Sequence, residues 1–246
     1  MTSAQLNLGR RAVAEGVGTA FLVAAVVGSG IAAQRLSPGQ VGLQLLTNSV
    51  ITGAVLVALI LALQPVSAAF NPVITLVEGA LGVLGWVHVW ALIAAQLAGG
   101  LLGVVVANLM FSLPPITISG HERSGGGLWL GEVVATLGLV MVVFGTLRAG
   151  RPAAVAYAVG GYITAAYWFT SSTSFANPAV TVARTFTDTF TGITPAAAAM
   201  FIAMQLVGGV AGFALVRLLY PTAAETAGAA LLDTGQAPVN HARSTP

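Results

Sequence analysis

Six stretches of about twenty mostly apolar residues follow one another with short connections, near 10–33, 40–63, 85–109, 128–148, 153–171 and 195–219. At about 1.5 Å rise per helical residue, each is long enough to cross a hydrocarbon layer of about 30 Å, whereas membrane-barrel strands are shorter and alternate in polarity. The chain is therefore predicted to be an all-α membrane protein. A mean hydropathy of +0.91 with 7% charged residues excludes a soluble globule, which could not cover its surface with so little polar side chain. The basic residues are nine Arg without a Lys, too scattered to form a nucleic-acid tract. Cysteine is absent, and the three His (His88, His121, His241) show no metal-ligand spacing. No nucleophile and base are paired, so no catalytic residue, metal or cofactor is expected. Arg10 and Arg11 precede an apolar run longer than a signal-peptide core, which reads as the first membrane helix.

Two segments remain, NPVITLVEGA from Asn71 and NPAVTVARTF from Asn177. Each is apolar enough for the membrane and too short to cross it; two meeting end to end would span one bilayer. Around them the halves of the chain repeat in order. Glu15-x-x-x-Thr19 returns as Glu132-x-x-x-Thr136, Asn71-Pro72 as Asn177-Pro178, and the group Gln96, Gly99, Gly100, Gly103 as Gln205, Gly208, Gly209, Gly212. Three full spans per half is an odd number, so the second half enters from the opposite face as an inverted repeat. The expected organisation is a cytoplasmic N-terminus (1–9), a first repeat (10–110), an extracellular connection (111–127), a second repeat (128–220) and a flexible cytoplasmic tail (221–246). With both termini cytoplasmic, six Arg lie inside and three (Arg35, Arg123, Arg184) outside, as the positive-inside rule requires.

Asn followed by Pro is a strong helix start: the Asn oxygen caps free N–H groups, and Pro at the first helical position has none to leave unsatisfied. Two such starts facing each other project partial positive charge and amide donors into one place, a field that opposes cations and suits a neutral hydroxylated solute. As a bare turn signal Asn-Pro carries nothing, but composition alone supplies fewer than one pair, and here both continue as N-P-x-x-T at matching places of the repeat.

These half-helix motifs, the paired Glu and the duplicated Gln and Gly-Gly patterns resemble the aquaporin or major intrinsic protein superfamily over about residues 10–220. The resemblance implies six spans, two re-entrant half-helices, a pore built around Asn71 and Asn177 with the motifs Asn71, Pro72, Val73 and Asn177, Pro178, Ala179, and a homotetramer in the cell membrane. It also implies loop backbone along the pore at Ala68, Ala69, Phe70, Phe175 and Ala176. The first motif departs from the family pattern, with Val73 for the usual Ala and a preceding loop one residue short that lacks its His. In the second, the usual filter Arg is replaced by Val180. The other filter positions, carried over by distance, fall on Thr52, Ala165 and Ser174. A filter of Thr, Ala, Ser and Val is expected to be wide and uncharged, and the second motif is similar to that of bacterial aquaglyceroporins found with arsenic-resistance genes. The implied solutes are glycerol-like polyols, neutral metalloid hydroxides such as arsenite or methylarsenicals, and water.

Alternatives remain open at this level. Arg184, one helical turn beyond Val180, is either a displaced mouth charge or the partner of Asp188. Glu15 and Glu132 either accept hydrogen bonds from the half-helix loops or relay protons in a coupled secondary transporter. A water-selective channel and a closed scaffold protein are the remaining readings.

Overall fold

The computed structural model describes residues 7–220; the expected tail and the positions of His241 and Arg243 lie outside that range. Among the described residues there are eight α-helices: α1 (Leu8–Leu36), α2 (Val41–Leu63), α3 (Pro72–Ala80), α4 (Trp86–Met110), α5 (Gly126–Arg148), α6 (Val155–Phe169), α7 (Pro178–Arg184) and α8 (Pro195–Leu219). Five of them, α1, α2, α4, α5 and α8, are long and apolar enough to cross a membrane. The sixth, α6, has 15 residues and is extended at its start by a 3-10 turn over Pro152–Ala154. The two short helices α3 and α7 have 9 and 7 residues, somewhat less than the sequence suggests.

Packing follows the repeat. α1 runs against α4 and its counterpart α5 against α8, while α2 crosses its own counterpart α6. Small residues set how close these crossings come. A Cβ on Gly53 would lie 2.7 Å from the Gly160 carbonyl oxygen, and one on Gly160 would lie 2.6 Å from the Gly53 carbonyl, so the two backbones touch. The duplicated Gly pairs act likewise: a Cβ on Gly99 would fall on the Gly16 backbone, and one on Gly208 on that of Val133. The second Gly of each pair receives a short helix from the other half. Gly100 faces the Ala179 carbonyl of α7, and Gly209 faces the Val73 side chain of α3. Val73 and Ala179 are thus consumed in packing.

One end of the bundle is closed over by two loops that pair with each other. Thr117 N–H donates to Phe186 O (3.1 Å), Ser119 N–H to Thr185 O (2.9 Å), and Thr194 N–H to His121 O (2.9 Å). Thr194 then caps α8 by accepting from Ala197 N–H, with Pro195 at its first position.

Candidate functional site

Each short helix begins as its sequence predicts. Asn71 Oδ1 accepts from Val73 N–H (2.9 Å), and Asn177 Oδ1 accepts from Ala179 N–H (3.0 Å) and Val180 N–H (3.3 Å). The amide nitrogens tie the two halves together: Asn71 Nδ2 donates to Ala176 O and Asn177 Nδ2 to Phe70 O, both at 2.7 Å. The α3 and α7 starts therefore meet tip to tip. A side-chain amide has two N–H groups, so one on each Asn remains at the surface of the cavity that both residues line.

The residues just before each Asn hold a backbone that side chains rarely adopt. Phe70 has φ 49° and Ala176 φ 46°, both left-handed, and Thr173 and Ser174 are left-handed as well. Such a loop has no regular backbone partners for its N–H groups, and on the side away from the cavity each half supplies a carboxylate to accept from them. Glu15 accepts from Ser67 Oγ (2.6 Å), Ala69 N–H (2.8 Å), Phe70 N–H (2.7 Å) and Gln96 Nε2 (2.8 Å). Glu132 accepts from Phe175 N–H (2.9 Å), Ala176 N–H (2.9 Å) and Gln205 Nε2 (2.6 Å). The same Gln nitrogens reach Thr75 Oγ1 and Thr181 Oγ1 on the short helices, each at 2.9 Å. Both carboxylates are fully buried and neither lines the cavity. One detail breaks the symmetry. The Phe70 ring occupies the space a Cβ on Gly18 would need, whereas the repeat-equivalent positions hold Ala176 and Ala135.

A single cavity of about 800 Å³ runs past this junction, from Arg11, Glu78 and His88 at one end to Arg184 at the other. Its walls have helical spacing: Thr52, Leu56 and Ile60 on α2 with Gln64 as its C-cap, Val155, Val159, Ile163 and Tyr167 on α6, Ile74 and Glu78 on α3, Val180 and Arg184 on α7. The loop residues Ala68, Ala69, Phe70, Phe175 and Ala176 line it, as do Thr52, Ser174 and Val180. Pro72, Val73, Pro178 and Ala179 are buried but do not line it.

Two expectations need correction. Ala165 faces away from the bundle and is exposed; the α6 wall position at this level is Tyr167, whose hydroxyl lies 3.2 Å from Thr52 Oγ1. Two residues along a helix turn a side chain by about 200°, so placing the position by distance from the motif chose the side that faces away from the cavity. The wall is also not uncharged. Arg184 is buried in it, with its Nε donated to Thr191 O and its guanidinium 3.4 Å from the centroid of the Phe175 ring. A cation thus stands one helical turn beyond the position where Val180 replaces the family's Arg. The Asp188 alternative does not form: Asp188 accepts from Gly120 N–H and faces His121 Nε2 at 3.8 Å. Arg123, from the loop after α4, donates to Gly192 O (2.8 Å) and Phe190 O (3.1 Å), bracing the loop that holds Arg184. Burial pushes the Arg123 guanidinium below its ordinary pKa.

Sequence reasoning missed Tyr167 and Glu78. The signal for Glu78 was present in the repeat: it lies seven residues after Asn71, and Arg184 lies seven residues after Asn177.

Comparison with known proteins gives the same picture. The chain is 49% identical over 216 residues to "Aquaglyceroporin AqpS" of Rhizobium meliloti (strain 1021), covering 87% of this chain and 92% of that one. Its fold is similar to the X-ray structure of the aquaglyceroporin from Plasmodium falciparum, with a TM-score of 0.66 at 16% identity, over 88% of this chain and 99% of that one. The model of the major intrinsic protein family matches over residues 2–154 and 150–243, which together cover nearly the whole chain. With two inverted halves joined through reciprocal Asn–carbonyl bonds beside one elongated cavity, the chain belongs to the major intrinsic protein family.

Proposed function

We propose that the cavity is a passive transmembrane pathway for small uncharged hydroxylated solutes, namely glycerol-like polyols, neutral metalloid hydroxides such as arsenite or methylarsenicals, and water. The observation that carries this reading is the junction of α3 and α7. Two helix N-termini and two Asn amides converge on one lumen, donating to a solute oxygen while their partial positive charge opposes cations. The name of the Rhizobium relative, an aquaglyceroporin, agrees with it. Thr52, Tyr167, Ser174, Val180 and Arg184 form the selective ring, in which Val180 leaves room that an Arg side chain would fill. By the distribution of Arg, the Arg184 end faces outward and both termini face the cytoplasm, with the chain working as a homotetramer in the cell membrane.

Glu15 and Glu132 support the passive reading over a proton-coupled one, since both are occupied by loop N–H donors and stay off the cavity. The water-selective reading is favoured by one observation, the guanidinium of Arg184 and ring of Tyr167 in the wall. Stopped-flow proteoliposomes challenged with glycerol, arsenite and water decide between them. The wild type is expected to carry all three, and Val180→Arg, which puts a second guanidinium one turn from Arg184, is expected to lose glycerol and arsenite flux with water less affected. Water permeation alone in the wild type would refute the wider pathway.

A further inference from the structure

The two short helices place opposite charges at matching positions. On α3 the cavity-lining residues are Ile74 and Glu78, three and seven residues after Asn71; on α7 they are Val180 and Arg184, three and seven after Asn177. The inverted repeat therefore sets an apolar residue one turn from the junction on either side, and then a carboxylate at one end and a guanidinium at the other.

The electrostatics of the remaining wall make this arrangement consequential. The converging N-termini of α3 and α7, the Asn71 and Asn177 amides, Arg184 and Arg11 all present positive charge or donors to the lumen. That set rejects cations and, left alone, attracts anions, because low-dielectric walls focus a field of one sign along a cleft. Among the described residues lining the cavity, Glu78 carries the only carboxylate; Glu15 and Glu132 lie behind the loops. Glu78 is half-buried in the last turn of α3, so its carboxyl and the negative end of the helix dipole lie at the same end of the cavity. Arg11 of α1 and His88 of α4 line the same vestibule.

We infer that Glu78 is a specificity-determining residue, the element that rejects anions from an otherwise electropositive pathway, with Arg184 as its counterpart against cations. The inference rests on the cavity being the conducting path. A pathway that presents a carboxylate toward one end and a guanidinium toward the other opposes ions of either sign when both are ionised, while a neutral solute meets only hydrogen-bonding partners.

The test uses the full chain in proteoliposomes, reading iodide influx by an encapsulated halide-quenched dye with valinomycin and potassium for charge balance. Glycerol flux is read in the same preparation by light scattering. For the wild type, iodide influx at the level of empty vesicles with glycerol conducted is expected. Glu78→Gln, equal in shape, should raise the iodide-to-glycerol ratio by about tenfold or more. Glu78→Ala should raise it too, and Glu78→Asp, which keeps the charge, should hold it at the wild-type level. A Gln or Ala variant that carries glycerol and remains as iodide-tight as the wild type overturns the inference, as does an Asp variant that leaks like Gln. So does loss of glycerol flux in all three variants with unchanged thermal melting, since a residue that only rejects anions is not needed for neutral flux. If the wild type itself carries no glycerol, the conducting-path reading fails instead.

Discussion

Replacing Glu15 by Ala removes the acceptor for a loop that has no other. In the structure its two oxygens hold Ala69 N–H and Phe70 N–H at 2.8 and 2.7 Å, in a backbone bent through a left-handed residue. Ser67 Oγ and Gln96 Nε2 also donate to it, but Gln96 keeps Thr75 Oγ1 as a partner and a hydroxyl can rotate. The two backbone donors cannot. Orphaning a buried N–H costs about 1–3 kcal/mol, so the pair costs about 2–6 kcal/mol. That is a large share of a typical stability of about 5–15 kcal/mol. At about 2–4 °C per kcal/mol for a chain of this size, the middle of that range lowers the melting temperature by about 8–16 °C. Thermal unfolding of the detergent-solubilised protein, followed by light scattering, measures it, with Glu132→Ala as the repeat-equivalent check. Glycerol flux should fall in both, because Phe70 O and Ala176 O would no longer be held where the Asn amides need them. A Glu15→Ala protein melting within about 3 °C of the wild type would refute the claim that this carboxylate supports the loop.

Two further predictions follow from the packing. Gly53→Val sets a Cβ 2.7 Å from the Gly160 carbonyl and is expected to destabilise by about 1–3 kcal/mol or more, whereas Gly161→Val, with open space around its Cβ position, should melt near the wild type. Tyr167→Ala should admit bulkier polyols than the wild type in the liposome assay, while Ala165→Leu, on the outward face, should leave the solute profile as it was.

Much of the fold was legible because the bilayer leaves a chain few options. Backbone groups without water must bond within their own segment, so apolar length translates directly into spans, and the six stretches read from hydropathy match the long helices closely. Asn-Pro starts and duplicated Gly pairs were readable for the same local reason: capping needs only neighbouring residues, and a Gly repeated at one place in two halves signals contact. The function of Glu15 and Glu132 was harder, since a carboxylate in a membrane helix is equally a relay or a support until the N–H groups opposite it are known. The cavity wall was hardest. Ala165 was misplaced by two residues and Arg184 left undecided, because their orientation depends on helix rotation and on a loop carbonyl contributed by Thr191.

By itself, the sequence determined an all-α membrane chain, its division into inverted halves and the two short helices whose capped starts face each other. All of these follow from local length, pattern and capping. Only the tertiary structure decided which side chains share the lumen. It brought Tyr167 beside Thr52, turned Ala165 outward, buried Arg184 against Phe175 and set Glu78 at the opposite end. A pore wall is assembled from one stripe of each of several helices, and the rotation of each stripe is set by contacts between elements far apart along the chain.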